Sequence, residues 1–295
     1  MPPESEYQLQ SLAAARVIVV AGKGGVGKTT VTAVIAHAAS LAGQRVLVVE
    51  LDGKPTLANL VPDLEVLAIS APDALDEYLR EHGFARIAKR LTKTGVIDVV
   101  GTAAPGIDDI VVLGKIKQLE RSGDYDLIVV DGPAAGHAIT FLTAAAGLAD
   151  AVRSGPVRAQ ADEVLELLHD AERCQVVLVA LPETTPVNEV IETAFALEDD
   201  VGVQLGPVVV NIVDDGAPLP DDDAARAAVA DLDDETAELL LDAAAFRRSR
   251  RTMESEELAR LAAELPIPQV HLPARLVAGL TPADIEVLAG VISHG

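Results

Sequence analysis

Between Gly22 and Thr30 the chain reads Gly22-Lys23-Gly24-Gly25-Val26-Gly27-Lys28-Thr29-Thr30, four glycines and two lysines within nine residues. Glycines at this density let consecutive backbone N–H groups turn toward one anionic centre, and a helix opening directly behind them adds its positive end. Lys28 then places a point charge on the β- and γ-phosphates of a nucleotide, and the Thr29 hydroxyl is available to Mg2+. A second metal ligand, acting through water, is expected from an acid that ends another strand; Asp131, closing Asp126-Leu-Ile-Val-Val-Asp131, fits. The chemistry of this set is the binding of a nucleoside triphosphate with Mg2+.

Such a loop works only between a strand and a helix, and the flanking sequence supplies both. Short β-branched runs recur at Arg16–Val20, Arg45–Leu51, Val96–Val100, Asp126–Val130, Gln175–Ala180 and Val208–Ile212. Most are apolar throughout, which implies strands covered on both faces and therefore a parallel sheet with helices on each side. The fold class is α/β, a doubly wound, mostly parallel sheet in a single domain over 1–295. The helix after the loop is expected from Lys28 to a C-cap at Gly43, and another from Pro156 to Asp170 with Val157, Ala161, Val164, Leu165 and Leu168 on one face. Two stretches fit the sheet pattern poorly, about 72–94 and 214–265, and read as helical additions. Ile285, Val287, Leu288, Val291 and Ile292 predict a core-packing C-terminal helix.

Lys23 is not required by an ordinary phosphate loop. The Lys-Gly-Gly-x-Gly-Lys-Thr form resembles the deviant Walker motif of the dimeric SIMIBI ATPases, in which the early lysine reaches across a dimer to the partner's nucleotide. Arg45–Asp52, Pro105–Asp108, Asp131-Gly-Pro-Ala-Ala-Gly-His137, Leu181-Pro-Glu-Thr-Thr-Pro-Val-Asn-Glu189 and Val208-Val-Val-Asn211 narrow the likeness. In order and spacing they resemble the anion-transporting ATPase family, which includes arsenite-pump and tail-anchored-protein targeting ATPases, over about residues 16 to 290. The resemblance implies catalytic roles for Asp52, orienting the attacking water in switch I, and for Lys23 and Lys28 in neutralising charge. It makes Asp131–His137 switch II, and it implies adenine contacts from Asn211, Leu272 and Pro273. It further implies ATP and Mg2+ as ligands, a homodimer or a dimer with a paralogue, and a protein client.

Departures from the family pattern bear on that client. Asp52 is followed by Gly53-Lys54-Pro55 where the family commonly has Pro-Ala-His, Cys174 is the single cysteine, and Met occurs only at positions 1 and 253. Neither the arsenite-binding cysteines nor the shared-zinc pair of the resembling branches can exist here, and the Met-rich client groove is missing too. Acids exceed bases by 46 to 23, giving a formal charge of -23, and aromatics are 2 %. Nucleic-acid and stable membrane binding are disfavoured, and one cysteine with no basic leader suits a reducing cytoplasm. The remaining clusters have plain readings: Phe246–Arg251 as a solvated basic helix face neutralising Asp231, Asp233, Asp234 and Glu235, and Asp221–Asp223 as a helix start. Cys174 is read as buried or half-buried. Alternatives are a positioning ATPase of the chromosome-partitioning or division-site type, a GTP-using metallochaperone with Asp214 holding guanine, and a nucleotide-binding scaffold with little turnover.

Overall fold

The computed structural model describes residues 9–51, 53, 55–81 and 106–293. Eight strands form one sheet: β1 (Val17–Gly22), β2 (Val46–Glu50), β3 (Glu65–Ala68), β4 (Leu127–Ala134), β5 (Cys174–Ala180), β6 (Gln204–Leu205), β7 (Val208–Val213) and β8 (Gln269–Pro273). The order is β3-β2-β4-β1-β5-β7-β8, with β6 paired to β5, and every pairing is parallel.

The sheet divides two cores. Along β1, Val17, Val19 and Ala21 enter one, while Ile18 and Val20 enter the other; along β2, Leu47 and Val49 separate from Val46 and Val48 in the same way. This is why the central strands are apolar at every position: side chains alternate between two faces, and both are dry. The first core is closed by α4 (Ile107–Ser122), α5 (Ala135–Ala151), α6 (Pro156–His169) and α7 (Thr184–Ala196), the second by α1 (Lys28–Leu41), the short α2 (Thr56–Leu60) and the C-terminal α10 (Pro282–Ser293). Helix α1 is buried on nearly every side because the sheet covers one flank and α10 covers another. It stops where Gly43 takes a left-handed φ of 86° and its N–H reaches the Ser40 carbonyl.

The expected strands other than Val96–Val100, which lies outside the described residues, are present. β3 carries an exposed-to-intermediate pattern at the sheet edge, and that edge position is why it shows no continuous apolar run. In α6, Ala161, Val164, Leu167 and Leu168 are buried but Val157 is not, since the first turn overhangs the core. In α10, Ile285, Leu288 and Ile292 are buried as expected, with Val287 turned outward. The first helical addition appears as α3 (Ala71–Glu81), packed on α4; its continuation to 94 is outside the described residues. The second contains α8 (Asp222–Ala228) and the 31-residue α9 (Asp234–Glu264). Asp221 caps α8, accepting from the Ala224 N–H at 2.9 Å, so the aspartate run is a helix start. No described helix is long and apolar enough to cross a membrane.

Candidate nucleotide site

Parallel register brings the chemistry-bearing residues to the carboxyl end of the sheet. Val20 and Glu50 both stand opposite Asp131, so β1, β2 and β4 finish side by side and the loop leaves β1 directly beside the acid. Thr29, in the first turn of α1, donates its hydroxyl to Asp131 Oδ2 at 2.7 Å. The buried Thr32 hydroxyl lies 3.5 Å from the other carboxylate oxygen. A hydroxyl and a carboxylate are the hard oxygen donors that suit Mg2+, which keeps several waters and takes few protein ligands.

The loop is wedged between two strand ends. A Cβ on Gly22 would stand 2.4 Å from the Val179 carbonyl oxygen of β5. Gly27, at φ 90° and ψ 33°, passes so close beneath Asn211 that a Cβ there would lie 2.3 Å from Asn211 Nδ2. The Asn211 carboxamide, 5 % exposed, donates from Nδ2 to the Val26 carbonyl at 3.0 Å and accepts the Ile212 N–H on Oδ1 at 3.0 Å. Asn211 therefore holds the loop in shape. Gly24 and Gly25 have open space around them, and Lys28 Nζ turns back into the loop to the Lys23 carbonyl at 3.4 Å. Lys23 points elsewhere: its amine is 2.5 Å from Glu189 Oε1 on α7, both side chains a little more than a third exposed.

Beside the loop is a cavity of about 170 Å³ lined by Gly27, Thr30, Asn211, Ile212, Pro273 and Leu280, among others. Asn211 and Pro273 both line this cavity, whereas Leu272 is not among its lining residues and is 1 % exposed within the core of α1 and α10. Alternation along β8 requires that separation of neighbours. Asp52 lies outside the described residues. Its neighbour Leu51 lines a second cavity, of about 320 Å³, with Asp108, Asp109, Pro133 and His137. Burial, with Asp108 adding to it, raises the Asp109 carboxyl above its ordinary value, and His137 opposes the shift.

The arginine cluster does not meet the acids expected of it. Asp231 to Glu235 sit at the start of α9, more than two helical turns from Arg247, and the arginines reach a different set. Arg247 grips Asp214 with two 2.7 Å bonds, and Arg250 pairs with Glu183 at 2.8 Å. Arg248 pairs with Asp222, and Arg251 donates to the Gly216 and Ala217 carbonyls. The cluster staples α9 to the loop after β7 and to the Leu181-Pro-Glu183 turn. Thr32, Glu189 and Ile212 have no role assigned from the sequence, although Glu189 ends the Leu181–Glu189 motif and Ile212 stands inside Asn211-Ile-Val-Asp214.

Arg247 holds the Asp214 carboxyl at about 2, against an ordinary 3.8. Its contribution to stability is complete above the ordinary value and is lost as pH falls through about 2. Arg247→Ala is therefore expected to lower stability at neutral pH and to move the acid-unfolding midpoint upward, read by circular dichroism, with the difference from wild type vanishing as pH falls to about 2. An unmoved midpoint would show that the pair persists in the acid-unfolded chain or contributes nothing. The same grip fills Oδ1, which accepts from Arg247 and from the Gly216 N–H at 3.0 Å, so Asp214 cannot take a guanine edge with both of its oxygens.

A parallel α/β sheet that delivers a glycine-rich loop, a lysine and a Thr–Asp pair to one edge is the fold of a P-loop nucleoside triphosphatase. Residues 15–155 match the family described as anion-transporting ATPase. The chain is similar to ATPase BagA of Mycobacterium tuberculosis, at 32 % identity over 302 positions covering 89 % of this chain and 88 % of that protein. It is also similar to the arsenical pump-driving ATPase of Escherichia coli, at 29 % identity over 188 positions, covering 62 % of this chain and 32 % of that protein. The chain belongs to the anion-transporting ATPase family and is an ATP hydrolase.

Proposed function

We propose that this protein is a Mg2+-dependent ATPase, one domain per subunit, in which two copies close around two nucleotides and the cycle gates a protein client on the helical additions. The observation that carries the dimer is the divergence of the two loop lysines. Lys28 turns into its own loop, whereas Lys23 turns out to the rim and rests against Glu189. In the dimeric ATPases whose deviant Walker motif the loop resembles, a lysine at this position serves the nucleotide of the second subunit, and the Lys23 amine is held by Glu189, not by its own loop.

In the reaction a water oxygen attacks the γ-phosphorus, the bond to the β–γ bridging oxygen breaks, and ADP and phosphate leave. The loop amides of Gly24, Gly25, Val26 and Gly27, with those of Lys28, Thr29 and Thr30, cradle the phosphates while Lys28 neutralises them. Asp52 orients the water, and Lys23 of the second copy answers the charge that develops as the bond breaks. Thr29 directly, and Asp131 through water, would hold Mg2+, which supplies charge neutralisation on the β- and γ-phosphates when bound. Asn211 and Pro273 flank the base. A client surface is supported by the N-terminal half of α9, where Leu239 and Phe246 are 65 % and 70 % exposed.

The test is an Asp52→Asn protein given Mg2+ and ATP. Its mass by light scattering is expected to double, revert on nucleotide removal, and stay doubled far longer than wild type, whose ATP is consumed. A single-chain mass at saturating ATP would end the dimer proposal, and undiminished turnover by the variant would end the role of Asp52.

A further inference from the structure

Ile212 is, among the described residues, the one non-glycine with a positive φ, at 60°. A β-branched side chain in the left-handed region is strained and persists only where its surroundings fix it. Here they do. The Asn211 side chain accepts the Ile212 N–H, Ala274 donates to the Val213 carbonyl, and the β7–β8 register slips between Val210 and Val213.

The consequence is a change of face. Val208 and Val210 enter the core under α5 and α7, and Val209 enters the core under α1. Strict alternation would send Ile212 with Val208 and Val210, away from the loop. Instead it lines the same cavity as Gly27, Thr30, Asn211 and Pro273, 45 % exposed. The left-handed turn thus swings an aliphatic side chain onto the nucleotide side of the sheet, into the cavity that Pro273 of the neighbouring strand also lines. At about 170 Å³ the cavity is well below the roughly 300 Å³ of pockets that take a whole drug-sized ligand, so it admits one flat heterocycle rather than a client segment.

We propose that Ile212 is a base-clamping residue: its strained backbone exists to press an apolar side chain against the face of the adenine ring in the cavity it lines with Pro273. This rests on the nucleotide reading above and adds to it the residue that fixes the base and the reason for the strain.

The test compares wild type, Ile212→Gly and Ile212→Val in binding Mg-ATP and inorganic tripolyphosphate, which fills the loop but carries no base. Glycine accepts φ 60° freely, so the thermal midpoint of Ile212→Gly is expected to be unchanged or higher. Its ATP affinity is expected to fall about tenfold, the loss of a partly buried aliphatic contact, while tripolyphosphate affinity holds within twofold. Ile212→Val should stay near wild type for both ligands. ATP affinity unchanged in Ile212→Gly would overturn the proposal, as would equal losses for both ligands, which would place Ile212's effect in the loop. Because the readout is binding, absent turnover in wild type would count against the hydrolytic cycle alone.

Discussion

Lys23→Ala is expected to lower ATP turnover by about a thousandfold while ATP affinity changes only severalfold. Positive groups supplied in trans to a transferring phosphoryl contribute about 10³ to 10⁵ in rate, and a lysine, a point charge without a guanidinium's paired donors, belongs at the lower end. Ground-state binding is carried by the loop amides and by Lys28, whose amine lies within its own loop. Nothing about Lys23 in the single chain competes strongly with that role. Its partner Glu189 shares an ion pair in which both groups are more than a third exposed, and such pairs are worth about 0 to 1 kcal/mol. Releasing Lys23 toward a second copy therefore costs little. Steady-state kinetics should show the loss in kcat, with KM nearly held; the reverse pattern would make Lys23 a ground-state contact, and full turnover would remove it from the chemistry. Mixing the variant with Lys28→Ala chains adds a second readout, since a clamp acting across subunits restores one competent site in a mixed dimer.

What the sequence disclosed here and what it withheld separate along a physical line. Features set by local stereochemistry were legible: the loop with its strand and helix, the doubly apolar strands, the glycine stop at Gly43 and the aspartate cap on α8. The Thr29–Asp131 pairing was legible too, because an acid at a strand's carboxyl end must meet the loop leaving a neighbouring strand's same end. What was withheld depends on long-range register. The partners of Arg247, Arg248 and Arg250 were sought among acids near in sequence, and the chain instead brings Asp214, Asp222 and Glu183 to them from 33, 26 and 67 residues away. Leu272 and Pro273 could not be told apart until strand β8 fixed which of them faced the cavity. Ile212 was hidden because periodicity counts faces by twos, and a left-handed residue breaks the count without leaving a glycine to mark it.

Gly27→Ala is expected to weaken ATP binding by more than a hundredfold and to lower the thermal midpoint by several degrees. Two costs combine. A left-handed backbone at φ 90° carries about 1 to 3 kcal/mol of strain for a residue with a Cβ. The Cβ would also sit 2.3 Å from Asn211 Nδ2, in a buried carboxamide already bonded to the Val26 carbonyl. Displacing that amide leaves buried polar groups short of partners, another 1 to 3 kcal/mol or so, and releases the strap that shapes the loop. Together these make about 2 to 6 kcal/mol, enough to turn the amides away from the phosphates. Gly25 provides the control, because it has the same φ of 90° with no atom near its missing Cβ. Gly25→Ala should show the strain without the collision and so lose less. If the two variants fall equally, the Asn211 contact contributes nothing and strain is the whole effect. A double variant carrying Gly27→Ala with Asn211→Ala closes the cycle: removing the carboxamide makes room for the methyl, so the two losses should sum to more than the double variant shows. Simple additivity would mean that the loop and the Asn211 strap act independently, contrary to their geometry.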